Sequence, residues 1–295
     1  MASSIKKNSS SKFADYLTLT KPNISTMVMV TTLAGFYLGV RETLDYVLLL
    51  HTIIGTALIV AGTNALNQVV EIKTDALMHR TKKRPLPDGR IAPLPAQWFS
   101  TFVSIAGIAW LSLLVNSLTG LLAALTLALY VFVYTPAKKK STLSTLIGAV
   151  PGALPPVGGW AAARGEAGID AWVLFGILFF WQLPHFLAIA RLYKDDYKRG
   201  GMVVLPLLDQ SGRSTGMHII SNTAALIVIS LMPTLLGTAG KYYFVGALLL
   251  GGYYLHAGIH AAKLKDNQSA RKLLLSSVVY LPALLFLMVV DKNWL

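Results

Sequence analysis

Residues 91–137 read IAPLPAQWFSTFVSIAGIAWLSLLVNSLTGLLAALTLALYVFVYTPA, 47 positions without one Asp, Glu, Lys or Arg. A helix rises about 1.5 Å per residue, so a bilayer core about 30 Å thick is crossed by about 20 apolar residues. This run must therefore hold two crossings, hinged near Asn116. Shorter runs of the same kind lie at 22–40, 46–70, 141–163, 171–190, 214–240, 242–262 and 273–290. Together they predict an all-α polytopic membrane protein with nine transmembrane helices, a single domain over 1–295 with a polar tail at 1–20. A membrane barrel alternates every second residue, which Leu121-Leu122-Ala123-Ala124-Leu125 does not. With 54% hydrophobic and 13% charged residues, about half the usual charged share, soluble and disordered chains are excluded. The lack of cysteine excludes a disulfide scaffold.

The formal charge is +13, and its location explains it. Of the 26 Lys and Arg residues, 22 fall in the N-terminal tail and in the loops after helices two, four, six and eight. The other side holds only Arg41, Arg164, Lys241 and Lys292. Since Lys and Arg mark cytoplasmic loops, the N-terminus is expected in the cytoplasm and the C-terminus outside. Residues 1–20 match neither a cleavable signal nor a transit peptide, which favours a bacterial inner membrane. The excess charge then serves topology, with a second use in holding an anionic substrate. No nucleic acid partner is expected.

Two cytoplasmic loops, 68–90 and 191–213, are chemically dense. If helix two continues into the first, Asn67, Glu71 and Asp75 stand at i, i+4 and i+8 and fan over about 80° of one face. Four cations follow within five residues, Arg80, Lys82, Lys83 and Arg84. Oxygen ligands suit a hard cation such as Mg²⁺, which is commonly bridged to substrate phosphates; Arg offers phosphate a planar fork and Lys a point charge. The plainer reading is a helix end followed by a basic, positive-inside loop. The second loop carries Arg191, Lys194, Asp195, Asp196, Lys198 and Arg199, then Gly200-Gly201 for a turn. Two such loops on one face suggest two metal subsites gripping one diphosphate.

These residues resemble the motifs of the UbiA-type intramembrane prenyltransferases, and within that family the branch that farnesylates haem B. The match runs from Asp15 through Lys21-Pro22 and Asn67-xxx-Glu71-xxx-Asp75-xx-Met78-x-Arg80-Thr81-xx-Arg84-Pro85-Leu86. It continues through Tyr134-Thr135-Pro136, the segment from Gly152 to Trp160, and Trp181-Gln182-Leu183-Pro184-His185-Phe186 with Asp195-Asp196-Tyr197. The resemblance implies a UbiA-like bundle in a lipid bilayer, Mg²⁺ as cofactor, and farnesyl diphosphate and haem B as substrates. A haem vinyl group is alkylated and water adds, giving haem O; a haem A synthase is a candidate partner. It implies a catalytic set of Asn67, Glu71, Asp75 and His185, and metal ligands Asn67, Glu71, Asp75, Asp195 and Asp196. The diphosphate contacts would be Arg80, Lys82, Lys83, Arg84, Lys138, Arg191 and Lys194.

One position departs from the wider family. Quinone-making relatives begin the second motif with Asp, eleven positions before its last acid, and here that residue is His185. Neutral imidazole is a poorer Mg²⁺ ligand than carboxylate, so His185 is expected in the acceptor half of the reaction. Tyr130, Tyr134 and Trp181 are candidates to face an allylic cation. The alternatives are prenylation of a quinone precursor, which His185 disfavours, and a transporter, whose polar sites would sit nearer the midplane. His256 and His260, at i and i+4, have the spacing to share a metal, against a hydrogen-bonded structural role. The Gly- and Pro-rich fifth helix reads equally as a cavity wall or a packing kink.

Overall fold

Asn116 divides the 47-residue run where its polarity predicts. Its Oδ1 accepts from the Thr119 amide at 2.8 Å and its Nδ2 donates to the Ala161 carbonyl at 2.9 Å, so one side chain caps a new helix and ties the bend to a neighbour. The computed structural model describes residues 11–293. Its helices are α1 (Lys12–Leu19), α2 (Pro22–Gly39), α3 (Tyr46–Val70), α4 (Ile72–Leu77), α5 (Pro93–Leu114), α6 (Ser117–Ala128), α7 (Thr135–Ala137) and α8 (Ser144–Arg164). There follow α9 (Ile169–Leu192), α10 (Lys194–Arg199), α11 (Leu205–Leu208), α12 (Arg213–Leu235), α13 (Lys241–Leu264) and α14 (Asn267–Val290). A π-helical segment, Leu129–Tyr134, joins α6 to α7, so 117–137 is one rod.

Among the described residues seven helices are long and apolar enough to cross a membrane: α3, α5, the 117–137 rod, α8, α9, α12 and α14. The helices α2 and α13 are also long, 18 and 24 residues. Their hydropathy is diluted, by Asn23, Ser25, Thr26, Thr31 and Thr32 in α2 and by four tyrosines and two histidines in α13. Large apolar side chains such as Phe102, Phe132, Leu249 and Phe286 face outward, where a bilayer rather than water is their solvent. This is a multi-pass helical membrane protein.

The Gly- and Pro-rich helix, α8, lies at the centre of the bundle, and its composition serves close packing. A Cβ on Gly35 of α2 would collide with the Pro156 carbonyl of α8, and one on Gly159 of α8 would collide with the Thr32 carbonyl of α2. The two backbones thus meet through small residues on both sides, the contact that replaces hydrophobic driving force inside a membrane. At one end of the bundle the Lys292 ammonium donates to the carbonyls of Tyr37 (2.8 Å) and Val40 (2.6 Å), and Arg164 Nε donates to Gly39 (2.7 Å).

The opposite end carries the motif loops, and there part of the polar segment expected at 1–20 is helical. Residues 12–19 form α1, capped by Ser11, with Leu19 fully buried against Ala65, Leu86, Ile91 and Ala96. Asp15 pairs with Arg90. The first half of the tail, with Lys6 and Lys7, lies outside the described residues.

The α2–α8 contact gives a signed prediction. Gly→Ala in a helix ordinarily stabilises by about 0.5–1 kcal/mol, and Gly158, with open space around it, should behave so. Gly35→Ala meets a backbone atom instead, and overpacking of this kind costs about 1–3 kcal/mol. Thermal unfolding in detergent should therefore rank Gly158→Ala at or above the parent protein and Gly35→Ala clearly below it.

Candidate active site

Helix α3 ends at Val70 and α4 begins at Ile72, with Glu71 at the joint (φ −95°, ψ 9°). The i→i+4 register nevertheless runs through, because the Glu71 amide bonds to Asn67 O at 3.0 Å and the Asp75 amide to Glu71 O at 2.8 Å. Asn67, Glu71 and Asp75 are therefore stacked one turn apart, and all three are buried. The helix bends at Glu71 without losing the alignment.

Each of the three is matched by a cation from a different part of the chain. Lys21 Nζ donates to Asn67 Oδ1 at 3.0 Å, Lys138 Nζ to Glu71 Oε1 at 2.8 Å, and Arg84 to Asp75 Oδ2 at 2.7 Å. Asn67 in turn donates to Thr135 Oγ1 at 3.1 Å, and Thr135 Oγ1 donates back to Tyr130 O at 2.8 Å. The Thr135 main-chain N–H bonds to the same Tyr130 carbonyl, five residues back, and that bond makes the π-turn. Pro136 has no N–H to offer Phe132, which loosens the regular ladder, and the turn brings Tyr130, Tyr134 and Lys138 toward the acids. Lys138 Nζ stands 4.4 Å from the Tyr134 ring centroid, and the Tyr130 and Tyr134 rings are 5.2 Å apart.

The crowding of cations shows in their proton affinities. Burial, then the like charges of Arg84 and Lys138, pushes the Lys21 ammonium down to about 7. Burial presses Lys138 the same way, but Tyr134 and Glu71 outweigh it and hold its ammonium above the ordinary value. Lys21 and Thr135 are site residues that the sequence reading missed. The signal for Lys21 was a lysine directly before a helix-opening proline, in a left-handed conformation (φ 50°); nothing in sequence spacing ties it to Asn67.

The second motif loop reaches the first through Asp196. Its carboxylate accepts from the His79 amide at 2.8 Å, from the Arg80 amide at 3.3 Å and from Arg199. Partial burial opposes its ionisation, yet Arg199 and those amides prevail and hold the carboxyl below its ordinary range. Asp195, Lys194, Arg80, Lys82 and Lys83 are exposed at the rim, with Arg80 lying 4.7 Å over the Tyr193 ring. The Val203 amide bonds to Lys138 O at 2.7 Å, so four segments meet here. Arg191 does not join them: it stands beside Gly212, between the charges of Asp209 and Asp266.

His185 is half-buried on α9, 5.1 Å from the Trp181 ring, with Nδ1 2.7 Å from Ser277 Oγ of α14. His256 and His260 have stacked rings 6.5 Å apart on an exposed face of α13. No group of three or more His, Cys, Asp or Glu side chains converges to hold a metal among the described residues. The donors Asn67, Glu71 and Asp75 are all oxygen-bearing, buried and aligned, which fits a hard divalent cation by chemistry. Glu71 and Asp75 now face ammonium and guanidinium groups that phosphate oxygens could equally engage.

A helical membrane bundle with aligned acids and answering cations at one end fits an intramembrane prenyltransferase, and the chain belongs to the UbiA prenyltransferase family, whose pattern matches residues 28–287. Among its relatives, the protoheme IX farnesyltransferase of Solibacter usitatus (strain Ellin6076) is 47% identical over 287 residues, covering 94% of this chain and 98% of its own. That of Salinibacter ruber (strain DSM 13855 / M31) is 44% identical, covering 94% and 98%. Among solved structures, a digeranylgeranylglyceryl phosphate synthase superposes with a TM-score of 0.78 at 18% identity, over 95% of this chain and 98% of that one. A UbiA homolog from Archaeoglobus fulgidus bound to GPP and Mg²⁺ gives 0.69 at 15% identity, over 93% and 99%. At those identities the likeness is one of fold.

The Asp196 contact is testable by amide exchange. Asp196→Asn removes the anion that receives the His79 and Arg80 amides, so both should exchange faster while the transmembrane core keeps its protection. In the parent protein the tie should hold throughout the neutral range and loosen only on acidification below about 3.9, the ordinary aspartate value, because the folded pKa is depressed.

Proposed function

We propose that this protein transfers the farnesyl group of farnesyl diphosphate to a vinyl group of haem B, with addition of water, giving haem O and diphosphate. The observation that carries the donor half is the line Asn67–Glu71–Asp75 with Lys21, Lys138 and Arg84 against it; the names of the relatives support haem B as acceptor. Asn67, Glu71 and Asp75, with Asp195 or Asp196, would hold Mg²⁺, which neutralises charge on the departing diphosphate. Arg84 and Lys138 turn from carboxylate to phosphate oxygens, and Arg80, Lys82, Lys83 and Lys194 line the rim that receives the anion. Their charges stabilise the leaving group as the allylic C–O bond breaks.

The farnesyl carbon then bonds to the vinyl terminus, and the cation left beside the porphyrin takes water and loses a proton. Tyr130, Tyr134 and Trp181 offer aromatic faces to the positive charge, and the apolar helices keep water from the allylic cation until the new bond has formed. His185 acts in this second half, at the haem or at the capturing water. The chain crosses an inner membrane nine times, α2 and α13 included, with its N-terminus in the cytoplasm. The product is suited to a haem A synthase, which would take it up as substrate.

Purified protein given haem B, farnesyl diphosphate and Mg²⁺ should form haem O, read by mass spectrometry. Asp75→Ala should lower that rate on the order of 10²-fold or more while remaining folded in detergent. Full turnover in excess chelator would remove the metal from the mechanism, and turnover of aromatic acids in place of haem B would move the protein to quinone synthesis. Topology is checked by cysteines at Lys139 and Glu166, which should react with impermeant reagents from opposite sides; labelling of both from outside contradicts the orientation.

A further inference from the structure

The structure assigns Ser277 as the positioning residue that fixes the tautomer of His185, leaving Nε2 as the free nitrogen for the haem half of the reaction. The inference rests on the proposed role of His185 and adds which nitrogen performs it. Ser277 is fully buried on α14. Its Oγ lies 2.6 Å from the Leu274 carbonyl oxygen and 2.7 Å from His185 Nδ1. Two oxygens at 2.6 Å are held by a hydrogen between them, and a carbonyl has none, so the single hydroxyl proton of Ser277 points to Leu274.

Only the lone pairs of Oγ then remain to face Nδ1, and the proton of that contact must come from the imidazole. Neutral imidazole carries one N–H. With Nδ1 protonated, Nε2 holds the lone pair, and it makes no hydrogen bond to any described residue. A nitrogen of that kind can bind haem iron or take the proton released when water adds.

Ser277 also fixes the plane of the ring. Its main-chain carbonyl accepts from Trp181 Nε1 at 2.8 Å, and the Trp181 ring stacks on His185 with an interplanar angle of 27°. Tyr254, fully buried on α13, donates to the main-chain carbonyl of Trp181 at 3.3 Å. One residue of α14 thus holds both the imidazole and the indole that stacks on it. Ser277→Ala removes the hydroxyl and keeps the carbonyl, so it separates the tautomer from the stacking.

The test uses the full chain in nanodiscs, with histidine-selective ¹⁵N labelling and the His185 signals identified by their loss in His185→Ala. The parent protein should show His185 protonated at Nδ1, and Ser277→Ala should shift it toward the other tautomer. Loss of such a supporting partner typically costs about 10–100-fold in activity. The turnover number for haem O should fall by that factor with the KM for farnesyl diphosphate unchanged. Ser276→Ala, which removes a neighbouring buried hydroxyl bonded to Lys272 O, should change neither. An unaltered tautomer and turnover in Ser277→Ala overturn the inference. Full haem O yield from His185→Ala overturns it differently, by removing the role of His185 itself while the ¹⁵N spectra still report the bond.

Discussion

Two ion pairs, in which the buried carboxylates of Glu71 and Asp75 meet the partly buried cations of Lys138 and Arg84, set the terms for everything at the motif end of the bundle. A carboxylate taken out of water needs a counter-charge, and removing that cation costs about 3–5 kcal/mol because the carboxylate is left buried alone. The fold therefore supplies its own cations to the acids that, under the proposed function, would hold a metal. A divalent ion arriving by itself would have to evict Lys138 and Arg84 and strand them. A divalent ion arriving with a diphosphate would bring acceptor oxygens for both, so the proposed function calls for the two to bind together.

That exchange explains why so many separate segments converge. Lys21 comes from the α1–α2 joint, Arg84 from the turn after α4, Lys138 from the end of the π-turn, and Asp196 from α10. The bundle must hold these joints in register, and the tight α2–α8 contact through Gly35 and Gly159 does so near the centre. Asp196 completes the arrangement by tying the second loop to the amides of the first. In the proposed acceptor half, α14 would play the corresponding part through Ser277, which contacts His185.

The hydrophobic pattern was legible because bilayer thickness leaves little choice of length or structure, and the acidic line was legible because helical periodicity predicts it directly. Asn67, Glu71 and Asp75 keep their alignment even through the bend at Glu71. Long-range pairing was not legible. Nothing local shows that Lys21 meets Asn67, that Arg191 turns toward Asp209 and Asp266, or that Asp196 faces two backbone amides. The docking of α1 was hidden by its flanking Ser- and Lys-rich residues. The π-turn left only Pro136 as a trace, and the glycines and prolines of α8 fitted a cavity wall as well as a packing surface until their neighbours were known.

The most direct measurement is calorimetric binding of Mg²⁺ to the purified protein, with and without a non-hydrolysable farnesyl diphosphate analogue. Mg²⁺ should bind weakly alone and strongly once the analogue is present, with the coupling reduced in Lys138→Ala. Tight Mg²⁺ binding in the absence of diphosphate would contradict this, since the ion pairs would then present no barrier to the metal.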